Sequence, residues 1–507
     1  KFVALVVALL VVCCYADDDL DLTVYIATDG DDANVGSVDA PCASLAGAFA
    51  LVNNDTTSIT VLMAAGSYSG GKNIGVAVPS VPVLIDNSDE DDDSVVSFDC
   101  DATNGVVFVI AGNGRDFHLK DVDMNNCTTG ISFTPSDAQQ TLTVGDVNFN
   151  QVLYPVTFSG DALQLDDSNF VGANLAVSVN NATSIYMNNC DFESGADLSM
   201  SVDCDTCVME IQIEDIKVES AGGMRFTVAP GTAGTFESVS FDDPIGRALE
   251  VSGGMWGLST IEVENAESVG GDGGAFHFSG SNDGTSFDLD SITITGTSAS
   301  GYGGAIYVDS AILNIDDSSF EGCSSGFLGG AIFMTNLMDE SLSVSDSTFL
   351  SNTAAGKGGA IDLESSGNGT VETYFDVVSF SNNTATNGAA ISCCGITSCG
   401  VVVNYDTSSM TFDDNTNTVS NGTDVTCTID DAEFTSVATE PSFSLSYDEG
   451  YADTDNDSSN NDEGWYYLLI IVGAVVIVGI ILCIVVALIA IACKCTKRKS
   501  YDTVSDY

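Results

Sequence analysis

The chain has 507 residues and sets 73 Asp and Glu against 12 Lys and Arg, a formal net charge of −61. A surface of that sign repels phosphate backbones, so nucleic-acid binding is excluded as a function class. With 16 cysteines but a lone CxxC and only two histidines, a zinc site is not expected, and the cysteines point to disulfides in an oxidising compartment.

Residues 1–16 (KFVALVVALLVVCCYA) join one basic residue, an apolar run and a small residue ahead of an acidic stretch, the pattern of a secretory signal peptide. Residues 17–440 read as an all-β ectodomain. Near its start, residues 43–53 (ASLAGAFALVN) are rich in Ala and Leu and follow Pro41, which predicts a helix capping the first coil. The acidic run around Asp91, Asp92 and Asp93 is the densest group of hard oxygen ligands. It fits no known calcium-loop spacing, so no cofactor is assigned, with calcium the ion such carboxylates would take. The steps Asp146 to Phe149 and Asp167 to Phe170, followed by Phe192, recur at 21 and 22 residues. The lone CxxC at Cys204 and Cys207 reads as a local disulfide.

From residue 273 the repeat sharpens. Gly273-Gly274-Ala275-Phe276 is followed by Gly-Gly-Ala-Ile at 303, 329 and 358, and by the worn copy Gly388-Ala389-Ala390-Ile391. Spacings of 30, 26 and 29 residues mark stacked units that bury their apolar faces on one another. Each unit holds a short strand such as Ile306-Tyr307-Val308, an alternating run such as Leu313-Asn314-Ile315, and an acidic-x-x-Phe step such as Asp317 to Phe320. Three short strands per unit with no helical crossover predict one coil of a parallel β-solenoid. Its Gly, Asn and Asp corners would take positive φ, and recurrent Asn would form side-chain ladders.

Residues 441–464 turn to Ser, Asp, Asn, Glu and Gly, a solvated stalk. Leu468–Ala492 then runs uncharged for 25 residues, roughly 38 Å of helix against a hydrocarbon core of ~30 Å. Trp465, Tyr466 and Tyr467 flank it on one side, and Lys494, Lys497, Arg498 and Lys499 on the other. This predicts a transmembrane α-helix over 465–493 and a cytoplasmic tail over 494–507, a type I protein of the plasma membrane or another secretory-pathway membrane. Seven sequons, at Asn54, Asn126, Asn181, Asn368, Asn382, Asn421 and Asn456, are expected glycosylation sites. In the tail, Tyr501 and Val504 match a signal read by clathrin adaptors, and Cys493 and Cys495 are candidates for palmitoylation.

Residues 24–70, with TVYIATDGDDANVGSVDAPCASLAGAFALV and VLMAAGSYSG, resemble the opening coil and capping helix of right-handed parallel β-helix proteins of the pectin-lyase-like class. The GGAI units, with Phe349-Leu350-Ser351-Asn352 and Phe380-Ser381-Asn382-Asn383, resemble the GGAI/FxxN repeats of chlamydial polymorphic outer-membrane proteins and of related protist surface proteins. The resemblance implies a right-handed parallel β-helix. It leaves activity open, since that fold hosts lyases, hydrolases and adhesins.

Two constellations are candidates for catalysis. Arg115, His118 and Lys120 form the densest basic group, with His118 and Lys120 on one face of a strand and Phe117 and Leu119 on the other. Asp272 and His277 lie together in GGDGGAFHF. A glycosidase needs two carboxylates across the scissile bond; acidic pairs abound here, and most are read as corner residues. The sequence therefore favours a cell-surface glycoprotein presenting an acidic solenoid for adhesion to, or recognition of, glycans or surface proteins. The alternative is a membrane-tethered polysaccharide lyase or hydrolase.

Overall fold

Period-two alternation dictates the architecture. Strands such as Thr56–Met63, Ala162–Asp166 and Ser184–Asn188 bury about every second residue, so each offers an apolar edge inward and hydrogen-bonding edges to both sides. The computed structural model describes residues 20–435, except 89–94, 101–104, 113–114, 136–139, 196–197, 205–206, 208, 281–283, 338–340, 366–369, 394–399, 406–408, 419–423 and 430–431. The described residues all lie in the compact unit Lys1–Pro441 and form a right-handed parallel β-helix. Among them, three sheets run along the stack, of 24, 15 and 6 strands, termed here the first, second and third. Strands pair in parallel, except for the last two, Val425–Ile429 and Ala432–Thr435, which are antiparallel.

Several expectations fall outside the described residues: the signal peptide, Asp91 to Asp93, Asn368, Asn421 and Asn456, the stalk, the transmembrane helix with Cys493, and the tail with Cys495, Tyr501 and Val504. No helix among the described residues is long and apolar enough to cross a membrane.

The coil that begins at Gly303 shows the plan. Ile306–Asp309 lies in the second sheet, Ile312–Asp316 and Ser319–Glu321 in the first, and Ser324–Ser325 in the third. The expected three strands are thus joined by a fourth of two residues. Its inward residue is the small Ser325, so no apolar alternation marks it in the sequence. At the N-terminal end the helix is Leu45–Phe49, shorter than expected over 43–53. Ser44 caps it by accepting from the Gly47 N–H at 3.1 Å. Tight bonds from Leu51 to Ala48 and from Val52 to Phe49 close it, and Leu45 and Ala48 join the core.

Two left-handed corners recur along the stack. Asp121, Asp146, Asp167, Asn189 and Asp215 hold one, and Asn126, Gln151, Ser220, Asp243 and Asn265 the other, all at positive φ. The second residue of each pair Asp166-Asp167, Asp242-Asp243, Asp316-Asp317 and Asp413-Asp414 has a φ of 47°, 45°, 44° and 50°. These carboxylates are there because Asp and Asn tolerate a conformation that most side chains resist.

Inside, coils stack like on like. The register carries one column from Tyr68 through Phe98, Phe149, Phe241 and Phe320 to Phe412. Phe320, Phe349, Phe380 and Phe412 lie nearly parallel at centroid spacings of 4.9, 5.0 and 5.4 Å. Beside them runs a buried amide ladder. Asn352 donates to Phe320 O at 3.0 Å and Asn383 to Phe349 O at 2.9 Å, while the oxygens of Asn383 and Asn415 accept the backbone N–H of the coil before. The first glycine of each GGA unit has φ between 61° and 66°. The second leaves room for the next coil: a Cβ on Gly304 would collide with the carbonyl of Gly330, and one on Gly330 with that of Gly359.

Two substitutions test this account. Asn383→Ala leaves the Asn352 N–H and the Phe349 carbonyl unpaired inside the stack, so it should cost about 2–4 kcal/mol in denaturant unfolding. Val377 sits at φ 51° in the corner column and is 51% exposed, a strained place for a β-branched residue. Val377→Asn should raise stability by about 1 kcal/mol, seen as a higher unfolding midpoint.

Candidate functional site

In a GGA-Ile strand the residue after isoleucine points away from the core. The register aligns these residues in one outward row on the second sheet: Arg225, Glu250, His277, Tyr307, Phe333, Asp362 and Ser392. The row gathers an arginine, a histidine and aromatic rings in a chain that is poor in cations.

Aromatic rings run along and beside the row. His277 stacks on Tyr307 at 4.7 Å, Tyr307 lies 5.7 Å from Phe333, and Phe333 stacks on Tyr302 at 4.6 Å. Tyr302 in turn meets Phe327 at 5.4 Å. Phe327 hydrogen-bonds through its backbone to Gly301 on one side and Gly356 on the other. Its stack neighbours thus lack side chains, and its ring stays 56% exposed.

Charge on this face is balanced locally. Glu250 accepts from Arg247 Nη1 at 3.0 Å and lies 3.5 Å from Arg225 Nε. Arg247 Nε donates to the Asp272 carbonyl at 2.7 Å, and Asp272 Oδ1 accepts the Tyr302 N–H at 2.9 Å. Asp272 therefore holds the aromatic loop in place. Burial pushes the His277 imidazole below its usual range, helped by Arg247 and opposed by Glu250 and Asp272, so the ring is neutral at neutral pH. Burial, with Asp309 and Asp272, pushes Tyr307 up to about 12.

Asp272 and His277 thus share this face, whereas His118 and Lys120 belong to the first sheet and Arg115 lies just ahead of their strand. On the strand Phe117–Asn125, Phe117 and Leu119 are buried and Lys120 faces out. Lys120 lies 3.6 Å from Asp121 and 3.8 Å from Asp146, half-exposed pairs that contribute little. Arg115 is exposed and forms no ion pair among the described residues. The sequons at Asn126 and Asn382 sit at exposed left-handed corners, and Asn54 and Asn181 are exposed too. Cys204 and Cys207 form a disulfide, as do Cys100 and Cys127. Cys190 and Cys323 are buried thiols, pushed by burial to about 12 and about 11, and so unreactive.

The residue that sequence reasoning missed is Asp362. It takes the slot held by Tyr307 and Phe333 in neighbouring coils, and a carboxylate in that slot was the available signal. Asp362 is fully enclosed, and neither of its oxygens makes a well-aligned hydrogen bond, the Ser392 hydroxyl being the donor that faces it. Burial raises its pKa to about 7, with a contribution from Glu364 and opposition from Ser392 and Lys357. Glu364 follows the end of the strand Ile361–Leu363 and repels the Asp362 charge. The two could not attack a polymer, because hydrolysis needs both carboxylates against the bond and Asp362 has no exposed surface. A hollow of about 350 Å³ lined by Ser238, Ser240, Thr260, Glu262, Ser291 and Thr293 holds a single carboxylate.

This is the architecture of a parallel β-helix repeat protein. Residues 346–364 and 377–394 match the Chlamydia polymorphic membrane protein repeat, which covers two of the stacked GGA/FxxN coils. No curated protein matches. Among solved structures, a rhamnogalacturonan lyase is 12% identical, with 77% of this chain and 86% of that one covered and a TM-score of 0.27. The pectate lyase Pel9A is 14% identical, with coverages of 78% and 80% and a TM-score of 0.26. A GH87 α-1,3-glucanase from Streptomyces thermodiastaticus is 14% identical, with coverages of 74% and 63% and a TM-score of 0.32. Similarity at this level says nothing about activity.

The enclosed carboxyl makes stability depend on pH. Asp362 keeps its proton up to about pH 7 when folded, while the unfolded chain releases it near the ordinary carboxylate value of 3.8. The folded state then binds more protons across that window, so stability falls as pH rises from about 4 to about 7 and levels off above. The loss is on the order of 4 kcal/mol. In metal-free buffer Asp362→Asn should remove this fall, so that the variant outlasts the parent in denaturant at pH about 8.

Proposed function

We propose that this chain is a cell-surface recognition protein whose solenoid carries the aromatic face of the second sheet to a glycan or a surface protein, without catalysis. One observation carries the reading. His277, Tyr307, Tyr302 and Phe327 form a run of rings linked through the buried Phe333 beside Arg225 and Arg247, whose two charges Glu250 and Asp272 offset. Rings and arginines are what binding surfaces concentrate, and here they form a near-neutral strip on a strongly acidic molecule. The uncharged segment 468–492 with its basic flank supports a membrane anchor. On this scheme the solenoid faces outward, Tyr501 and Val504 address adaptors in the cytosol, and the sequon asparagines carry glycans.

The lyase or hydrolase reading is the weaker one, because the buried Asp362 is shielded and the exposed acidic corners are spread along the stack. The test uses the full-length chain, displayed on cells, against a panel of polysaccharides and cell-surface proteins. The expected result is binding without release of reducing ends or unsaturated uronates. Tyr302→Ala with Phe327→Ala should weaken that binding about 10–100-fold. Product release, or binding untouched by the double change, would overturn the assignment.

A further inference from the structure

Next to the aromatic run, the same row of the second sheet holds a group of oxygens short of hydrogen-bond partners. Asp362 Oδ1 and Oδ2, Glu364 Oε1 and Ser392 Oγ are all buried, and none makes a well-aligned hydrogen bond. Asp362 and Ser392 face each other across adjacent strands, Ile361–Leu363 and Ile391–Cys393. Glu364 follows the end of the Asp362 strand, close enough for the two carboxylates to repel each other. Phe333 precedes Asp362, and Thr426, which follows Ser392, gives its hydroxyl to Asn387 Oδ1 at 3.4 Å.

Buried polar atoms are almost always paired, and an unpaired set marks a missing water, ion or proton. Leaving such groups empty is costly. A proton on Asp362 and the hydroxyl of Ser392 supply two donors to the four oxygens, but they leave the charge of Glu364 unneutralised. A single cation ligated by both carboxylates and the hydroxyl meets them all. Two carboxylates outweigh the one opposing charge felt by Asp362, that of Lys357 in the turn ahead of the strand. The ligands are hard oxygens, the set that calcium prefers.

We infer that Asp362, Glu364 and Ser392 form a binding site for a divalent cation of the calcium class, set between two coils at the end of the aromatic row. The site is distinct from the acidic run at Asp91 to Asp93, and it does not depend on what the aromatic face recognises. Cation binding there ties two successive coils together and fixes the strand next to Phe333.

The test is thermal unfolding of the full-length chain at pH about 8 in about 0.5 M NaCl, where exposed carboxylates are screened. The runs compare chelator, calcium and magnesium. Calcium at roughly 100-fold over its Kd should raise the midpoint of the parent chain by about 3–5 °C. Asp362→Asn should abolish that rise, and Ser392→Ala and Glu364→Gln, which keep the strand sequence otherwise intact, should each weaken calcium affinity about 10-fold or more. No calcium response in the parent, with the pH dependence of Asp362 still present, would show that the carboxyl is met by a proton alone and would overturn the site. An equal response in all three variants would assign the effect to surface charge and overturn it as well.

Discussion

The whole molecule depends on parallel, in-register hydrogen bonding between successive coils. Each strand is satisfied by the strands of the coils before and after it, so a residue is chosen less for its own environment than for its match to the residue one coil away. Phe meets Phe, Asn meets Asn, and glycine meets the carbonyl of glycine. Interior order along the axis follows from this match. Every coil must also return to its starting point, which forces the backbone into left-handed corners at fixed places. The acidic composition is partly a by-product, since Asp is among the few residues that accept those corners.

How far the sequence speaks follows from this constraint. The GGAI spacing and the acidic-x-x-Phe step are legible because stacking imposes them on adjacent copies, and the buried Asn352–Asn383 contact was foreseeable for the same reason. Ser324-Ser325 was invisible because two small residues carry no period. The helix ended early because the chain after Ala50 closes in tight turns that composition does not reveal. Paired aspartates pointed to corners, which is where they lie.

The candidate site was less legible, and the reason is geometric. Asp272 and His277 are close in sequence, so their proximity could be read directly. Arg225, Glu250, Tyr307, Phe333 and Asp362 come from different coils and meet only through register. A row across coils has no local signature, and it emerges only when each strand is aligned by its glycine pair. Asp362 was overlooked because one carboxylate among 73 acidic residues draws no notice until its slot is seen to be an enclosed one.

The stacked column from Tyr68 to Phe412 also acts as a ruler. It contains one residue per coil, and neighbouring strands sit about 4.8 Å apart. Any coil with its glycine pair and its corners in place can follow any other, since each presents the same edges above and below. Unequal exchange between the GGAI segments would then lengthen or shorten the rod in whole-coil steps and leave the ends unchanged. Reach above a surface becomes a quantity that varies by integers, and it can be tuned without redesigning the core.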